Sequence, residues 1–483
     1  MTAADATSTP APSRRRRKAP HVHDVLVVGG GPAGSSCAYW LADAGWDVAV
    51  VEKKQFPREK TCGDGLTPRA VRQLADMGLE DALEAGHRYW GLRSCGWGQV
   101  LEMPWPQHPV FPAYGYTITR HDLDGLVAER AAKAGASVHQ HTEALSPILA
   151  EGAGGSPAGG KGGDREGDRI GGEDGDRIGG GEAGPGPGDG ARHLPSCLGA
   201  VVRDTESGET RELRARYVVV ADGSNSRFGR ALGSARQKGY PLGMALRGYY
   251  RSPRHDDVYI ESHLDIRDAD GNAVPGYGWI FPLGDGRVNV GVGLLSTDQR
   301  WKGVNTSRLM DAFVAGAPAS WGLSPETSCG PPTGGKLPMS MAVQPHTGDN
   351  VLLAGDAGGS INPFNGEGIA YAYETGRLAA AFLGAALAGE GPAALRRYDR
   401  HLTEAYGDYY RVGRAFVRLI SNPAAMHWCV AVGMRSEAFM KELLRIMANL
   451  MRPGAPGVAE LGYDLLLRIA DTMPPELASS LLA

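Results

Sequence analysis

Cysteine is scarce in this chain of 483 residues: six (Cys37, Cys62, Cys95, Cys197, Cys329 and Cys429), scattered without C-x-x-C or paired spacing. That pattern excludes a zinc ribbon and a disulfide framework, so a reducing, cytoplasmic setting is expected, with no metal. No run of about 18 uncharged apolar residues occurs, which excludes a confident membrane-spanning helix; any membrane contact is expected to be peripheral, on the inner face. A net charge of −4 offers no field for wrapping nucleic acid, and none is expected as a partner. The one basic run, Arg14 to Lys18, lies in a Pro/Ser/Thr/Ala tail. It lacks the apolar segment of an export signal, leaving a solvated tail or a weak attraction to anionic lipid.

Glycine, in contrast, is abundant at 70 residues, and part of it is placed with purpose. The apolar stretch Asp24 to Val28 runs into Gly29-Gly30-Gly31-Pro32-Ala33-Gly34 and then a helix. Gly29 suits the tight turn, Gly31 the approach of a pyrophosphate, and Gly34 the close packing of helix on strand, with Pro32 and Ala33 between them at the helix N-terminus. A second strand, Asp47 to Val51, ends in Glu52 and Lys53; a carboxylate there accepts hydrogen bonds from ribose hydroxyls.

The polar loop Pro57 to Leu66 follows, with Arg58 and Lys60 suited to phosphate or flavin oxygens or to plain solvation, and with Cys62 and Gly63 beyond them. Arg120 opens a helix, where it faces a cofactor or pairs locally. Residues 151–192 are rich in Gly, Asp, Arg, Pro and Glu and repeat Gly-Asp-Arg-Ile-Gly-Gly, so a disordered surface insertion is predicted. Regular pattern resumes in strands at Leu198–Arg203, Arg211–Ala215 and Tyr217–Ala221. The last ends in Asp222-Gly223, and Val351 to Leu353 leads similarly to Gly355-Asp356. These two strand ends join the first fingerprint as parts of a flavin site, with Asp356 placed for a ribityl hydroxyl. Gly366, Gly368 and Ile369 open a long helix whose N-terminus suits charge on a reduced flavin ring.

Alternating residues from Leu242 to Leu295 predict antiparallel strands. Tyr277, Trp279 and Phe281, followed by Pro282, share one face by the two-residue period and form either an aromatic substrate wall with Gly291 and Gly293 or plain sheet core. From Leu395 the pattern is helical. Phe439, Met440, Leu443, Leu444, Met447, Leu450 and Met451 make a stripe that faces a core or lies on a bilayer.

With these motifs in place, the chain resembles the flavoproteins that include para-hydroxybenzoate hydroxylase. More narrowly, Lys60-Thr61-Cys62-Gly63-Asp64-Gly65, the Tyr277-x-Trp279-x-Phe281-Pro282 phrase and Pro363-Phe364-Asn365-Gly366-Glu367-Gly368 resemble the geranylgeranyl reductase family, over roughly residues 22–400. Some relatives carry Cys-Gly-Gly where this chain has Cys62-Gly63-Asp64. The resemblance implies FAD, an apolar channel at the aromatic phrase, and saturation of isoprenoid double bonds. The Gly/Ala/Arg-heavy composition is that of GC-rich bacteria, in which similar proteins hydrogenate the side chain of menaquinone. Cys62 and Tyr277 are the candidate proton donors, and the electron donor stays open among NAD(P)H, ferredoxin and reduced flavin.

The expected fold is α/β: a Rossmann-like FAD-binding domain (21–88, 113–150, 193–235 and 336–400), an antiparallel substrate sheet (89–112 and 236–335), and a C-terminal helical region (401–483). Residues 1–20 and 151–192 are the disordered tail and insertion. Geranylgeranyl diphosphate or a geranylgeranyl lipid is the alternative substrate. A flavin monooxygenase or halogenase is the alternative chemistry, although a halogenase carries tryptophan-x-tryptophan-x-isoleucine-proline at the aromatic phrase. An FAD-binding membrane partner without catalysis is the remaining class.

Overall fold

The computed structural model describes residues 21–150, 193–296, 303–452 and 457–472; the predicted tail and insertion lie outside them. Among the described residues no helix is long and apolar enough to cross a membrane.

Strand β1 (Val22–Val28) turns through three glycines into helix α1 (Pro32–Asp43) and returns as β2 (Val48–Val51) parallel to it. Val25, Leu26, Val27, Val48 and Ala49 have no exposed surface, as a central parallel sheet covered on both faces requires. Helix α2 (Arg120–Lys133) leads to Ser137–His139, which pairs with β2. On the other side β1 pairs with β3 (Thr210–Val220), whose end takes on Val351–Leu353 in parallel. The two strands expected at Arg211–Ala215 and Tyr217–Ala221 form this single strand, because Arg216 turns outward to Asp24 (3.0 Å) without interrupting it.

Outward of β3 lie Cys197–Asp204 and Thr142–Leu149, both antiparallel to their neighbours. Leu149 pairs with Cys197, and the Ala150 amide donates to the Ser196 carbonyl (3.1 Å). The side chain of Asn350 clasps Cys197 from both sides, accepting from its N–H (2.9 Å) and donating to its carbonyl (2.8 Å).

The second sheet contains β4 (Leu242–Arg251), β5 (Gly276–Pro282) and β6 (Arg287–Leu295), with β6 antiparallel to both of the others. Thr333–Pro338 flanks β4, while Tyr259–His263, Gly91–Gly96 and Gln99–Pro104 continue beyond β5. One face packs Ile280, Val288, Val290 and Val292 against the helix Thr306–Gly316 and Trp321. The other face looks toward the first sheet.

Helix α3 (Ile369–Ala385) lies against α1, and a Cβ on Gly376 would fall 2.3 Å from the Ala33 carbonyl oxygen, so the two backbones touch. Helix α4 (Pro392–Ile420) covers α3 with buried Tyr398, Tyr406 and Tyr410. Beyond it come α5 (Pro423–Gly433), α6 (Glu437–Met447) and α7 (Val458–Thr472). Val430, Met434, Met440 and Leu444 of α5 and its neighbour pack with Tyr89, Met103, Trp105 and Ile260 of the second sheet region. The C-terminal helices therefore roof the space between the sheets.

Candidate functional site

The turn after β1 is built for an anion. Gly29 has φ +105°, and a Cβ there would fall 2.3 Å from the Ala221 carbonyl oxygen; a Cβ on Gly34 would fall 1.9 Å from the Gly29 oxygen. No side chain caps α1, whose N-terminal amides face the cavity beside Gly31, Pro32 and Ala33. Glu52 sits under the turn, its carboxylate accepting from the amides of Gly30 (3.1 Å) and Lys54 (3.1 Å). Lys53 is exposed, outside the cavity wall.

Behind Glu52 runs a buried chain of alternating charge. Arg58 pairs with Glu52 (3.3 Å) and Asp124 (3.0 Å), and Asp124 pairs through both oxygens with Arg120 (2.6 and 2.7 Å). Burial alone would raise the Asp124 carboxyl, but the charge and hydrogen bonds of Arg120, helped by Arg58 and Lys60, outweigh it and hold it below the usual carboxylate range. Arg120 thus pairs locally and also reaches the cavity wall; Arg58 pairs with the two carboxylates close to Gly31, where a Cβ would meet its Nη2 at 3.8 Å.

The loop 57–65 is fastened to both sheets. Lys60 pairs with Asp356 (3.6 Å), while Arg247 of β4 donates to Glu59 (3.0 Å) and to the Lys60 carbonyl (3.1 Å). Asp64 is fully buried with φ +63°, a conformation in which glycine is unstrained. Its carboxylate compensates by accepting from the Arg120 amide (3.1 Å), the Tyr249 hydroxyl (2.7 Å) and Asn289 Nδ2 (2.7 Å). Asn289 also donates to the Cys62 carbonyl (2.9 Å) and accepts from Trp279 Nε1 (2.9 Å), tying this loop to the aromatic strand. Sequence reasoning missed Asn289, although an amide inside the apolar run Val288-Asn289-Val290 is itself a signal.

The glycine turn, the loop 57–65 and Arg120 border one cavity of about 520 Å³, within the size range of ligand sites, while Glu52, Asp124 and Asn289 stand outside its wall. Gly31, Pro32, Ala33, Cys62, Gly63, Arg120, Gly223, Asp356, Gly366, Gly368 and Ile369 line one region of it. Asp222 stands just behind, accepting from the Phe228 amide (3.0 Å) and leaving Oδ1 buried without a partner. Gly355, at φ +63°, packs against Ala33 and keeps the two loops close. An uncapped helix N-terminus, a glycine cradle and the Asp356 carboxylate on the wall fit a dinucleotide with hydroxyls to bond.

The rest of the wall is mostly apolar, with polar members such as Thr67, Ser94, Ser262 and Glu367. Tyr277, Trp279 and Phe281 lie along it with ring centroids 5.9 and 6.3 Å apart. Gly293 shares the wall, whereas Gly291 sits behind Trp279, where a Cβ would fall 2.1 Å from indole Cζ2. Pro282 is outside the cavity, its carbonyl accepting from the Thr117 hydroxyl. Leu92, Met103, Trp105 and Ile260 continue the wall, and Met426, Val430, Met440, Leu443, Leu444 and Met447 close it from α5 and α6.

Comparison with known proteins agrees with this geometry. A model of the FAD binding domain family matches residues 22–158 and 195–245. The chain is 37% identical to a menaquinone reductase of Mycolicibacterium smegmatis over 89% of its length and 92% of that protein's. It is 35% identical to a menaquinone reductase of Mycobacterium tuberculosis (94% and 98%), and 28% identical to digeranylgeranylglycerophospholipid reductase 1 of Methanopyrus kandleri (82% and 90%). In fold it is similar to a geranylgeranyl bacteriochlorophyll reductase-like protein of Thermoplasma acidophilum, with a TM-score of 0.64 at 23% identity over 96% of this chain and all of that one. A flavin-dependent brominase gives 0.65 at 18% identity, over 93% and 99%.

Proposed function

The chain belongs to the geranylgeranyl reductase family of FAD-dependent oxidoreductases, alongside the mycobacterial menaquinone reductases, and from that premise we propose that it saturates double bonds in the isoprenoid side chain of menaquinone. The observation that carries the reading is the single cavity, which joins the FAD cradle at Gly31–Ala33, Gly223 and Asp356 to a long apolar sleeve ending under α5 and α6. FAD, when bound, supplies the hydride equivalent that an alkene reduction consumes. The protein supplies the surroundings. Tyr277, Trp279 and Phe281 offer ring faces to the chain, exclude water, and favour positive charge developing on an alkene carbon as a proton arrives. A polar substrate would leave its hydrogen-bonding groups unsatisfied in such a sleeve.

Quinone extracts from cells with and without the gene provide the test. Mass spectrometry should find menaquinone heavier by one H₂ for each reduced isoprene unit only where the gene is present. Identical quinone profiles would overturn the menaquinone reading, and a change confined to another isoprenoid lipid would redirect it.

The substrate's medium is a bilayer, and the roof of the cavity suits one. Leu419, Trp428, Val432 and Phe439 point outward with about half or more of their surface exposed, each within two residues of a cavity-lining neighbour: Ile420, Cys429, Val430 or Met440. The end of α4 and helices α5 and α6 thus carry cavity-lining and outward apolar residues side by side, and their apolar outer face is proposed to rest on the lipid. In flotation with anionic vesicles, the double substitution W428S/F439S is expected to weaken binding about tenfold or more, the scale of two lost apolar anchors, without lowering the thermal midpoint. Unchanged binding would remove this face from contact.

A further inference from the structure

Glu367 lies between Gly366 and Gly368 in the turn that feeds α3, on the cavity wall beside Thr67 and Tyr89. Its backbone is fixed: the amide donates to Asn365 Oδ1 (3.0 Å) and the carbonyl accepts from the Asn362 amide (2.9 Å). Its side chain is unevenly served. Oε1 accepts from the Thr67 hydroxyl, while Oε2 is shielded from solvent and has no hydrogen-bond partner.

A carboxylate with one bare oxygen in an apolar wall is costly, and such a group relieves the cost by holding a proton. Burial pushes the Glu367 carboxyl up to about 7; the Thr67 hydroxyl and the Arg69 charge pull it back only in part, and the Glu374 charge pushes in the same direction as burial. With Oε1 already accepting, the proton belongs on Oε2. Tyr277 is less suited to give one away, because its hydroxyl donates to the Asn365 carbonyl (2.7 Å) and burial lifts it to about 12. That same bond ties the turn carrying Glu367 to the aromatic wall.

We propose that Glu367 is the proton donor of the reduction, a role that rests on the isoprenoid-reductase reading. The C=C π bond breaks and two C–H bonds form. The electron pair arrives with a hydride from reduced flavin, which ends oxidised, and the proton leaves the Glu367 carboxyl, a member of the cavity wall, for the neighbouring carbon. Glu367 is left as the carboxylate and recovers its proton from water between turnovers.

The test uses the flavin-loaded protein and its E367Q, C62S and Y277F variants. In infrared spectra taken in mildly acidic buffer, the difference between the parent and E367Q is expected to contain one protonated-carboxyl stretch. In anaerobic single turnovers with a polyprenyl quinone, E367Q should lose alkene reduction by about 100-fold or more while keeping its flavin, with C62S and Y277F affected less. Because the protonated form is the active one, the parent's rate should be highest in acid and fall as pH rises through about 7, and this dependence should vanish in E367Q. An E367Q protein with the parent's rate and pH profile overturns the proposal, as does loss of bound flavin, which would make the residue a cofactor support. Should the parent reduce no isoprenoid, the function reading falls, and the infrared band still reports on the carboxyl.

Discussion

Alanine in place of Asp64 is expected to destabilise the protein by about 3–5 kcal/mol, the largest effect of any single substitution in the loop 57–65. Two causes add. The change orphans the Arg120 amide and the half-buried Tyr249 hydroxyl and strips the buried Asn289 of one of its two acceptors. It also replaces an aspartate, whose short polar side chain eases the left-handed backbone at φ +63°, by an alanine that has no such help. Asp64→Gly removes the second cause and keeps the first, so it should be the milder change by about 1 kcal/mol. Denaturant melts of flavin-loaded protein followed by tryptophan emission measure both. Equal losses for alanine and glycine would show that backbone strain plays no part, and a loss under about 1 kcal/mol for alanine would show that the three hydrogen bonds do not matter.

Arg120→Met is expected to cost about 3 kcal/mol, because it leaves Asp124 buried with Arg58 as its remaining close cation. The pH dependence carries the sign. A carboxyl held below its unfolded value adds stability that is present above that value and lost as pH falls through the folded one. The parent should therefore be destabilised more steeply in acid than Arg120→Met, and the two curves should converge at low pH. Parallel curves would mean that Arg120 contributes packing alone. Arg120→Lys, which keeps the charge and loses the two-pronged geometry, should fall between them.

Much of this was legible because the residues concerned are forced by local geometry. Gly29 and Gly34 cannot be replaced where backbones approach within contact distance, so the dinucleotide turn is written into a short stretch of sequence. Tyr277, Trp279 and Phe281 share a face because a strand alternates, and no tertiary knowledge is needed to see it. The stripe in α6 was readable as core or bilayer, and it divides: Met440, Leu443, Leu444 and Met447 face the cavity while Phe439 faces outward.

What stayed hidden depends on partners far away along the chain. Arg120 needed Asp124 and Asp64 in place before its role could be assigned. The parallel pairing of Tyr259–His263 with Gly91–Gly96 joins segments separated by most of the first sheet, and no local pattern marks it. Glu367 is a glutamate between glycines until Thr67 and Tyr89 close around it; only then does its oxygen lose water.

The clasp at Leu149, Ser196 and Cys197 has a consequence for how this chain can change. The strands on either side of the segment 151–192 pair with each other at Leu149 and Cys197, and Asn350 holds Cys197 in place. Closing a longer loop costs only about 0.6 kcal/mol per doubling of its length. Duplications can accumulate there with little penalty, as the repeated Gly-Asp-Arg-Ile-Gly-Gly units illustrate. The same position is a graft point, where an affinity handle or a fluorescent reporter can be spliced into the enzyme with both reading ends already held together.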